Sequence, residues 1–198
     1  VRLLRHHAEG VVADLGYQNP VSMLGWNFRM TEIEAAIARV QLQKLATLNQ
    51  RTIELSNYLT QKLRPFDFLQ PPQTRPGALH VYYLYIIKYD AQKTGVHRDV
   101  FLRALNGEGY KARSYNFPVH LLPLFEDKNL YGDKGCPFSC PFYGQEVRYG
   151  KGLCPVTERL EFEEVFFPGL IRSRIEEKDI DIFADAVAKV FSHLDELR

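Results

Sequence analysis

The chain has 198 residues, of which 45% are hydrophobic, and its 25 Lys and Arg residues nearly balance its 24 Asp and Glu residues. This length suits one domain, or one domain with a piece of another, and the formal net charge of +1 argues against a nucleic-acid or membrane-surface protein. No apolar run approaches the roughly 20 residues of a membrane helix, no secretory signal is visible, and three cysteines form no even disulfide framework. These features predict a reduced, cytoplasmic protein.

The first strong predicted element is a helix that begins with Thr31 and Glu34, which have the spacing of a capping box. Residues 1–28 before it are interpreted as an irregular lead segment. The first turns of the helix carry two apolar stripes, so we expect it to lie between its own domain and a second body. A single stripe then continues until Pro65 ends the helix. The three stripes are Ile33, Ala36, Ile37 and Val40; Ala35, Ala38, Leu42 and Leu45; and Leu48, Thr52, Leu55, Leu59 and Leu63.

The rest of the chain is predicted to alternate short strands with helices. Aromatic and β-branched side chains favour the strands, and glycine or proline residues mark the helix ends. A long irregular region between the elements is rich in aromatic residues, which we expect to pack against something. The pattern predicts a small sheet covered by helices. The strands are expected over 79–90, 110–115 and 165–167, the helices over 97–106, 155–164 and 180–194, and the irregular region over 118–154.

Asn27 and Arg29 stand directly before the first long helix. Free backbone amides and the helix dipole make such a place a candidate anion site, and the two side chains add directional donors. The alternative is structural: Asn27 closes a turn, Arg29 pairs with an acid, and Glu32 and Glu34 already occupy the helix dipole.

A second polar group consists of His80, Tyr115, Asn116 and His120, close to predicted strand ends. Such residues bind polar substrates or move protons when they lie in a cleft, and are packing residues otherwise. The three cysteines are too few for a usual four-ligand structural zinc site, so ordinary reduced thiols are the simpler interpretation. They are Cys136, Cys140 and Cys154.

The segment 25–32 reads Gly-Trp-Asn-Phe-Arg-Met-Thr-Glu, and it continues with Ala-Ala-Ile at 35–37 and Gln-Leu-x-Lys-Leu at 41–45. This pattern is similar to a signature of the DegT/DnrJ/EryC1/StrS family, the sugar aminotransferases that use pyridoxal phosphate (PLP). The loop with Cys136 and Cys140 is less typical of the family. Further segments resemble the family in the same order, at 1–5, 115–125, 155–160, 167–169 and 176–182.

The resemblance implies an α/β fold, the small C-terminal domain of a fold-type I PLP-dependent transferase, with a short sheet flanked by helices. Residues 1–47 would be the tail of the large PLP domain with the interface helix, and residues 48–198 the small domain. The family holds the cofactor PLP on a lysine, which would lie upstream of Val1. The resemblance therefore assigns no catalytic residue and no metal site to this chain, and it predicts a fragment without turnover.

The resemblance also implies roles for four residues. The family's counterpart of Asn27 reaches across a homodimer interface to the PLP phosphate of the other subunit, and Arg29 is expected beside it. Tyr115 and His120 would line the sugar-nucleotide side of the site.

For the intact enzyme, the resemblance implies transfer of an amino group from glutamate to a nucleotide-linked keto-sugar, in a homodimer with its active site at the interface. Two alternatives stay open. One is a sugar dehydratase that uses PLP or pyridoxamine phosphate, with histidine in place of the lysine. The other is a non-catalytic sensing or interaction module. The residue at the upstream lysine position separates the three.

Overall fold

A computed structural model of the chain divides into two compact units, Val1–Leu48 and Asn49–Arg198. In the first unit, the helix α1 (Arg2–Arg5) precedes the start of the long helix α2 (Glu32–Leu63), and α2 ends in the second unit. The residues that the structure describes are 2–7, 16, 25–114, 117–128, 130, 135–139, 141, 144–145, 148–171 and 174–198.

The start and end of α2 follow the prediction. The Glu34 backbone N–H donates to Thr31 Oγ1 (3.2 Å), and the Thr31 backbone N–H donates to Glu34 Oε2 (2.7 Å). This reciprocal pair is the predicted capping box, which satisfies two amides that the helix leaves open. The helix ends at Leu63, two residues before Pro65, because proline cannot continue the hydrogen-bond ladder.

The second unit contains a three-stranded antiparallel sheet in the order β1-β2-β3. Its register pairs Leu69 with Tyr89 and Ile87 with Phe166. Short strands suffice here because the sheet is one wall of a core that helices complete. The strands are β1 (Leu69–Gln70), β2 (Ile87–Tyr89) and β3 (Val165–Phe166).

Two strand predictions were too long, and one strand was missed. The strand expected over 79–90 is confined to β2, because Tyr82 has a φ of +49° and a left-handed residue interrupts an extended segment. The strand expected over 110–115 is reduced, in the described part of the chain, to one antiparallel bridge between Arg113 and Phe167. Strand β1 was not predicted from the sequence.

The predicted helices of the second unit are confirmed within a few residues. The side chain of His97 caps α4 (Arg98–Gly107), where His97 Nδ1 accepts from the Asp99 backbone N–H at 3.2 Å. A π-helical turn, Leu160–Glu164, continues α6 up to β3. The helices are α3 (Ala91–Thr94), α4 (Arg98–Gly107), α5 (Pro123–Asp127), α6 (Pro155–Arg159) and α7 (Glu177–Ser192), with 3-10 turns at Val119–Leu121 and Leu194–Leu197.

The core of the second unit lies where the second half of α2, the sheet, α4 and α7 meet. Phe68 packs edge-to-face against Tyr89 and Phe101, each with ring centroids 5.8 Å apart, and stacks on Phe191 at 4.9 Å. The single stripe predicted for α2 supplies fully buried leucines to this core, namely Leu55, Leu59 and Leu63.

Arg98 is a buried cation that holds α4 to the π-helical turn. Only 3% of the residue is exposed, and its Nη1 and Nη2 atoms donate to the carbonyl oxygens of Glu161 (2.6 Å), Phe162 (2.9 Å) and Val165 (2.8 Å). Asp99 Oδ1 accepts a further bond from Arg98 Nη2 at 2.8 Å. The guanidinium thus satisfies carbonyls that a helix end leaves open, and the carboxylate balances its charge.

The aromatic residues of the long irregular region do pack together where the structure describes them. Phe125, Phe138 and Tyr149 form a three-ring cluster with centroid separations of 5.0–5.9 Å. The prediction that this region packs its aromatic side chains is confirmed for these three residues.

Candidate functional site

The loop before α2 presents Asn27 and Arg29, the two residues predicted to bind the cofactor. An antiparallel bridge between His6 and Asn27 fixes this loop to the segment after α1. The Phe28 backbone N–H also donates to the carbonyl of Arg5 at 3.0 Å. Both Asn27 and Arg29 are exposed, so the loop holds their backbones while their side chains face outward from this unit.

The side chains of Asn27 and Arg29 contact each other. Arg29 Nε donates to Asn27 Oδ1 at 2.9 Å, and the Arg29 backbone N–H lies 3.4 Å from the same oxygen. Arg29 Nη1 lies 3.3 Å from His6 Nε2. Because a guanidinium only donates, Nε2 accepts and the ring proton of His6 lies on Nδ1. The Asn27 carbonyl oxygen is therefore engaged, and the loop offers the Asn27 NH2 group and guanidinium N–H groups as donors.

This donor set fits a phosphate group such as that of PLP, since amide and guanidinium donors bind anionic oxygens strongly. The N-terminus of α2 adds less than the sequence suggested. Glu34 accepts from the Thr31 backbone amide, which holds the pKa of the Glu34 carboxyl below its ordinary value. This carboxylate already complements the helix dipole, so the affinity of the loop for anions depends mainly on Asn27 and Arg29.

His120, predicted to line the substrate side, lies in the second unit on the 3-10 turn Val119–Leu121. Its Nε2 is 2.8 Å from Glu158 Oε1, and both side chains are nine-tenths buried or close to it. The His120 hydrogen bond is the main cause that lowers the pKa of Glu158, followed by the Gly152 amide. An ionised carboxylate only accepts, so Nε2 of His120 carries a proton.

Glu158 is a residue that the sequence analysis missed. Its two carboxylate oxygens accept from the Gly152 backbone N–H at 2.8 and 2.9 Å, and Oε1 lies 3.4 Å from the Cys154 amide. One buried side chain thereby joins α6, the preceding loop and the turn with His120. The available signal was an acid in the first turn after Pro155, where a carboxylate can fold back onto open amides.

The other predicted substrate-side residues are not brought to His120 by any described contact. Tyr115 and Asn116 lie outside the described residues. His80 belongs to a different arrangement: its Nδ1 accepts from the Tyr82 backbone N–H at 2.9 Å, and its ring packs at a tilt of 40° against the Tyr82 ring, with the centroids 4.1 Å apart. His80 is therefore a packing residue, as the structural alternative proposed.

The cysteines have no metal partners in the part of the chain that the structure describes. Neither Cys136 nor Cys154 forms a disulfide with another described residue, and Cys140 lies outside the described residues. Within those same ranges, no three His, Cys, Asp or Glu side chains are grouped as metal ligands.

A cleft of about 360 Å³ beside β2 is polar, and its cations are engaged in ion pairs. Arg159 Nε lies 3.0 Å from Glu164 Oε1, and Lys88 Nζ lies 3.1 Å from Glu164 Oε2 without hydrogen-bond alignment. Because the Glu164 carboxylate contacts both cations, it links β2 to the π-helical turn.

Solved structures of other proteins share the fold of this chain. One solved structure with this fold is DesI in the presence of its TDP-sugar product, with a TM-score of 0.67 and 22% identity over 99% of this chain. Another is a sugar aminotransferase, provisionally so named, from Streptococcus pneumoniae in its PLP form, with a TM-score of 0.65 and 16% identity over 98% of this chain. At these identities the likeness shows the fold, and it confirms the predicted fold class.

The chain belongs to the DegT/DnrJ/EryC1/StrS aminotransferase family, whose model matches residues 1–180. A relative from Micromonospora echinospora is 28% identical over 183 residues and is provisionally named as an L-glutamine:3-amino-2,3-dideoxy-scyllo-inosose aminotransferase. The match to this relative covers 90% of this chain and 43% of the relative. This chain likewise spans 43% of the length of each of the two solved structures. Among the described helices, none combines the length and apolarity needed to cross a membrane.

Proposed function

We propose that this chain is the C-terminal part of a cytoplasmic PLP-dependent aminotransferase that moves an amino group from glutamate to a keto-sugar linked to a nucleotide. The observation that carries the proposal is the donor loop of Asn27 and Arg29 in a chain that matches the family over residues 1–180. In this proposal, residues 1–47 end the large cofactor domain, residues 48–198 form the small domain, and the lysine that holds the cofactor lies upstream of Val1.

The cofactor is pyridoxal 5'-phosphate, which the family relative from Streptococcus pneumoniae contains in its PLP form. When bound, PLP supplies an electron sink and carries the amino group between the two substrates. Asn27 and Arg29 are the residues of this chain that would hold its phosphate, because the loop directs N–H donors outward. Glu158 keeps a proton on His120 Nε2, which orients the imidazole and leaves Nδ1 for a substrate hydroxyl. Tyr115 is proposed to line the same substrate side of the site as His120.

The apolar surface of the first unit supports a homodimer with the active site at its interface. Trp26, Phe28 and Met30 in the donor loop are 61–68% exposed, and Ile33 and Ile37 on α2 are 75% and 59% exposed. Large exposed apolar patches mark interaction surfaces. A second copy that covers this surface would bring its own cofactor next to Asn27.

The test uses the protein with the residues that precede Val1. Added glutamate should convert the bound cofactor from its PLP form to its pyridoxamine form, which absorbance records, and a nucleotide-linked keto-sugar should reverse the change. The same assay with glutamine identifies the amino donor. If the cofactor spectrum stays unchanged with both donors, transamination is wrong. Loss of water from the sugar would instead indicate the dehydratase. If the protein changes neither the amino donor nor the sugar, it is the non-catalytic module.

Asn27→Ala tests the donor loop in the same protein. Because hydrogen bonds to charged groups contribute about 1.5–3 kcal/mol, the variant should hold PLP roughly tenfold or more weakly. Gln61→Ala, which removes an exposed amide from the second unit, is the matched control and should keep the normal affinity. Equal PLP affinities of the two variants would show that Asn27 does not bind the cofactor.

A further inference from the structure

A second cleft of the second unit, with a volume of about 260 Å³, combines aromatic side chains with a cation. Tyr83, Tyr85, Arg113 and Phe167 are among its lining residues. Pockets for complete drug-sized ligands have volumes of roughly 300–1,000 Å³, so this cleft suits one part of a larger molecule. We call it the Tyr83–Arg113 cleft.

The backbone places Tyr83 at this cleft by an unusual conformation. Tyr82, the preceding residue, has a φ of +49°, which a bulky side chain rarely adopts. Its backbone N–H donates to His80 Nδ1 (2.9 Å) and its ring is buried, so the surroundings hold the conformation in place. Tyr83 follows with 88% of its surface exposed. Strained residues of this kind cluster at ligand-binding positions, and a ring so exposed contributes little to the core.

Arg113 is the cation of the cleft, and its backbone is fixed. Its N–H donates to the Phe167 carbonyl (3.2 Å) and its carbonyl accepts from the Phe167 N–H (2.9 Å). Its guanidinium carbon lies 5.1 Å from the centre of the Phe167 ring, which is a cation–π distance. In the described ranges, no carboxylate lies within ion-pair distance of Arg113. An aromatic face thus holds the guanidinium, and none of the described acidic residues neutralises its donors.

An exposed aromatic ring and a guanidinium that line one cleft match a ligand with a planar ring and phosphate groups. Nucleobases stack on such rings, and the planar guanidinium binds phosphate oxygens in pairs. We infer that the Tyr83–Arg113 cleft binds the nucleotide part of the substrate, with the base on Tyr83 and the diphosphate on Arg113. This inference rests on the proposed function for the class of substrate. Arg113 also precedes Tyr115, proposed on the substrate side, by two residues.

The test titrates the protein that includes the residues before Val1, without cofactor, with thymidine diphosphate in a calorimeter. Inorganic pyrophosphate and thymidine serve as separate probes of the anion and of the ring. The diphosphate should bind at least about tenfold more tightly than either half, because both contacts are made together. Tyr83→Ala should weaken its binding roughly tenfold, whereas Tyr83→Phe should not. Arg113→Gln should weaken thymidine diphosphate and pyrophosphate but not thymidine.

Arg103→Gln on α4 is the charge-matched control, and its binding should equal that of the unchanged chain. Tyr83 and Arg113 are exposed, so both variants should fold, as circular dichroism can verify. The inference is wrong if thymidine diphosphate does not bind at millimolar concentration, or if Tyr83→Ala and Arg113→Gln bind it normally. Nucleotide binding in a protein that fails to transaminate would refute the proposed reaction alone. If the protein transaminates but Tyr83→Ala and Arg113→Gln keep the normal nucleotide affinity, only the proposed nucleotide subsite is wrong.

Discussion

The two halves of α2 have similar apolar spacing and opposite exposure. In the first unit, the apolar side chains of the helix lie largely in solvent: Ile33, Ile37, Leu42 and Leu45 are 46–75% exposed. In the second unit, Leu55, Leu59 and Leu63 on the same helix are completely buried. Helical spacing of apolar residues therefore shows that a face needs cover, but it does not show that the cover belongs to the same chain.

The largest expected effect separates the two halves by stability. Leu59→Ala should lower the free energy of unfolding by about 2–5 kcal/mol, because it opens a cavity in the core. Ile37→Ala removes a side chain that is already exposed, so its effect should stay within about 0.5 kcal/mol. Urea unfolding of the two variants, followed by circular dichroism, measures the difference. Equal losses would show that the first half is buried within this chain.

A second, smaller effect concerns association. If the first half of α2 is covered by another copy, a charge at its centre should prevent the contact, since burying an unpaired carboxylate is unfavourable. Ile37→Glu should then weaken self-association by at least about tenfold and leave the unfolding free energy nearly unchanged. Sedimentation at several protein concentrations measures this, with Glu54→Gln in the second half of the helix as control. An unaltered association constant in Ile37→Glu would mean that this face is not the contact.

The smallest effect concerns pH and the ion pair that anchors the second half of α2. Asp181 on α7 accepts from Tyr58 OH (2.8 Å) and lies 2.6 Å from Lys62 Nζ. Lys62, and then Tyr58, hold the pKa of Asp181 below its ordinary value of 3.8. A carboxyl with a lowered pKa stabilises the fold above its unfolded pKa, and this contribution is lost as the pH falls through the folded value.

Asp181→Asn should therefore lower stability at neutral pH and reduce the loss of stability below about pH 4. Urea unfolding at a series of pH values tests this. Asp185→Asn, an exposed carboxyl on the same helix, should behave like the unchanged chain. A pH profile of Asp181→Asn that runs parallel to the original would show that the ion pair does not contribute.

Local rules predicted the helices well and the strands poorly. The capping box of Thr31 and Glu34, and the end of α2 before Pro65, depend on neighbouring residues, which a sequence displays directly. The segment 79–90 has strand-forming composition, yet Tyr82 and Tyr85 enter the core through an irregular backbone. Aromatic side chains stabilise the fold by packing, and the sequence does not show which backbone path brings them into the core.

The candidate site was predictable only in part for the same reason. Asn27 and Arg29 are two residues apart, so their mutual contact is local. The bond between His120 and Glu158 spans 38 positions, and no spacing rule connects them. Tyr83 and Arg113 likewise meet at one cleft only after the chain has folded. Long-range pairs of this kind become visible through the tertiary structure alone.

The buried guanidinium of Arg98 has a consequence for the heat resistance of the region around His120. It ties α4 to the π-helical turn that continues α6, and α6 carries Glu158, the partner of His120. A substitution of Arg98 would loosen the support behind His120 without touching any ligand. On warming, such a variant should therefore lose the contact between His120 and Glu158 before the rest of the second unit unfolds.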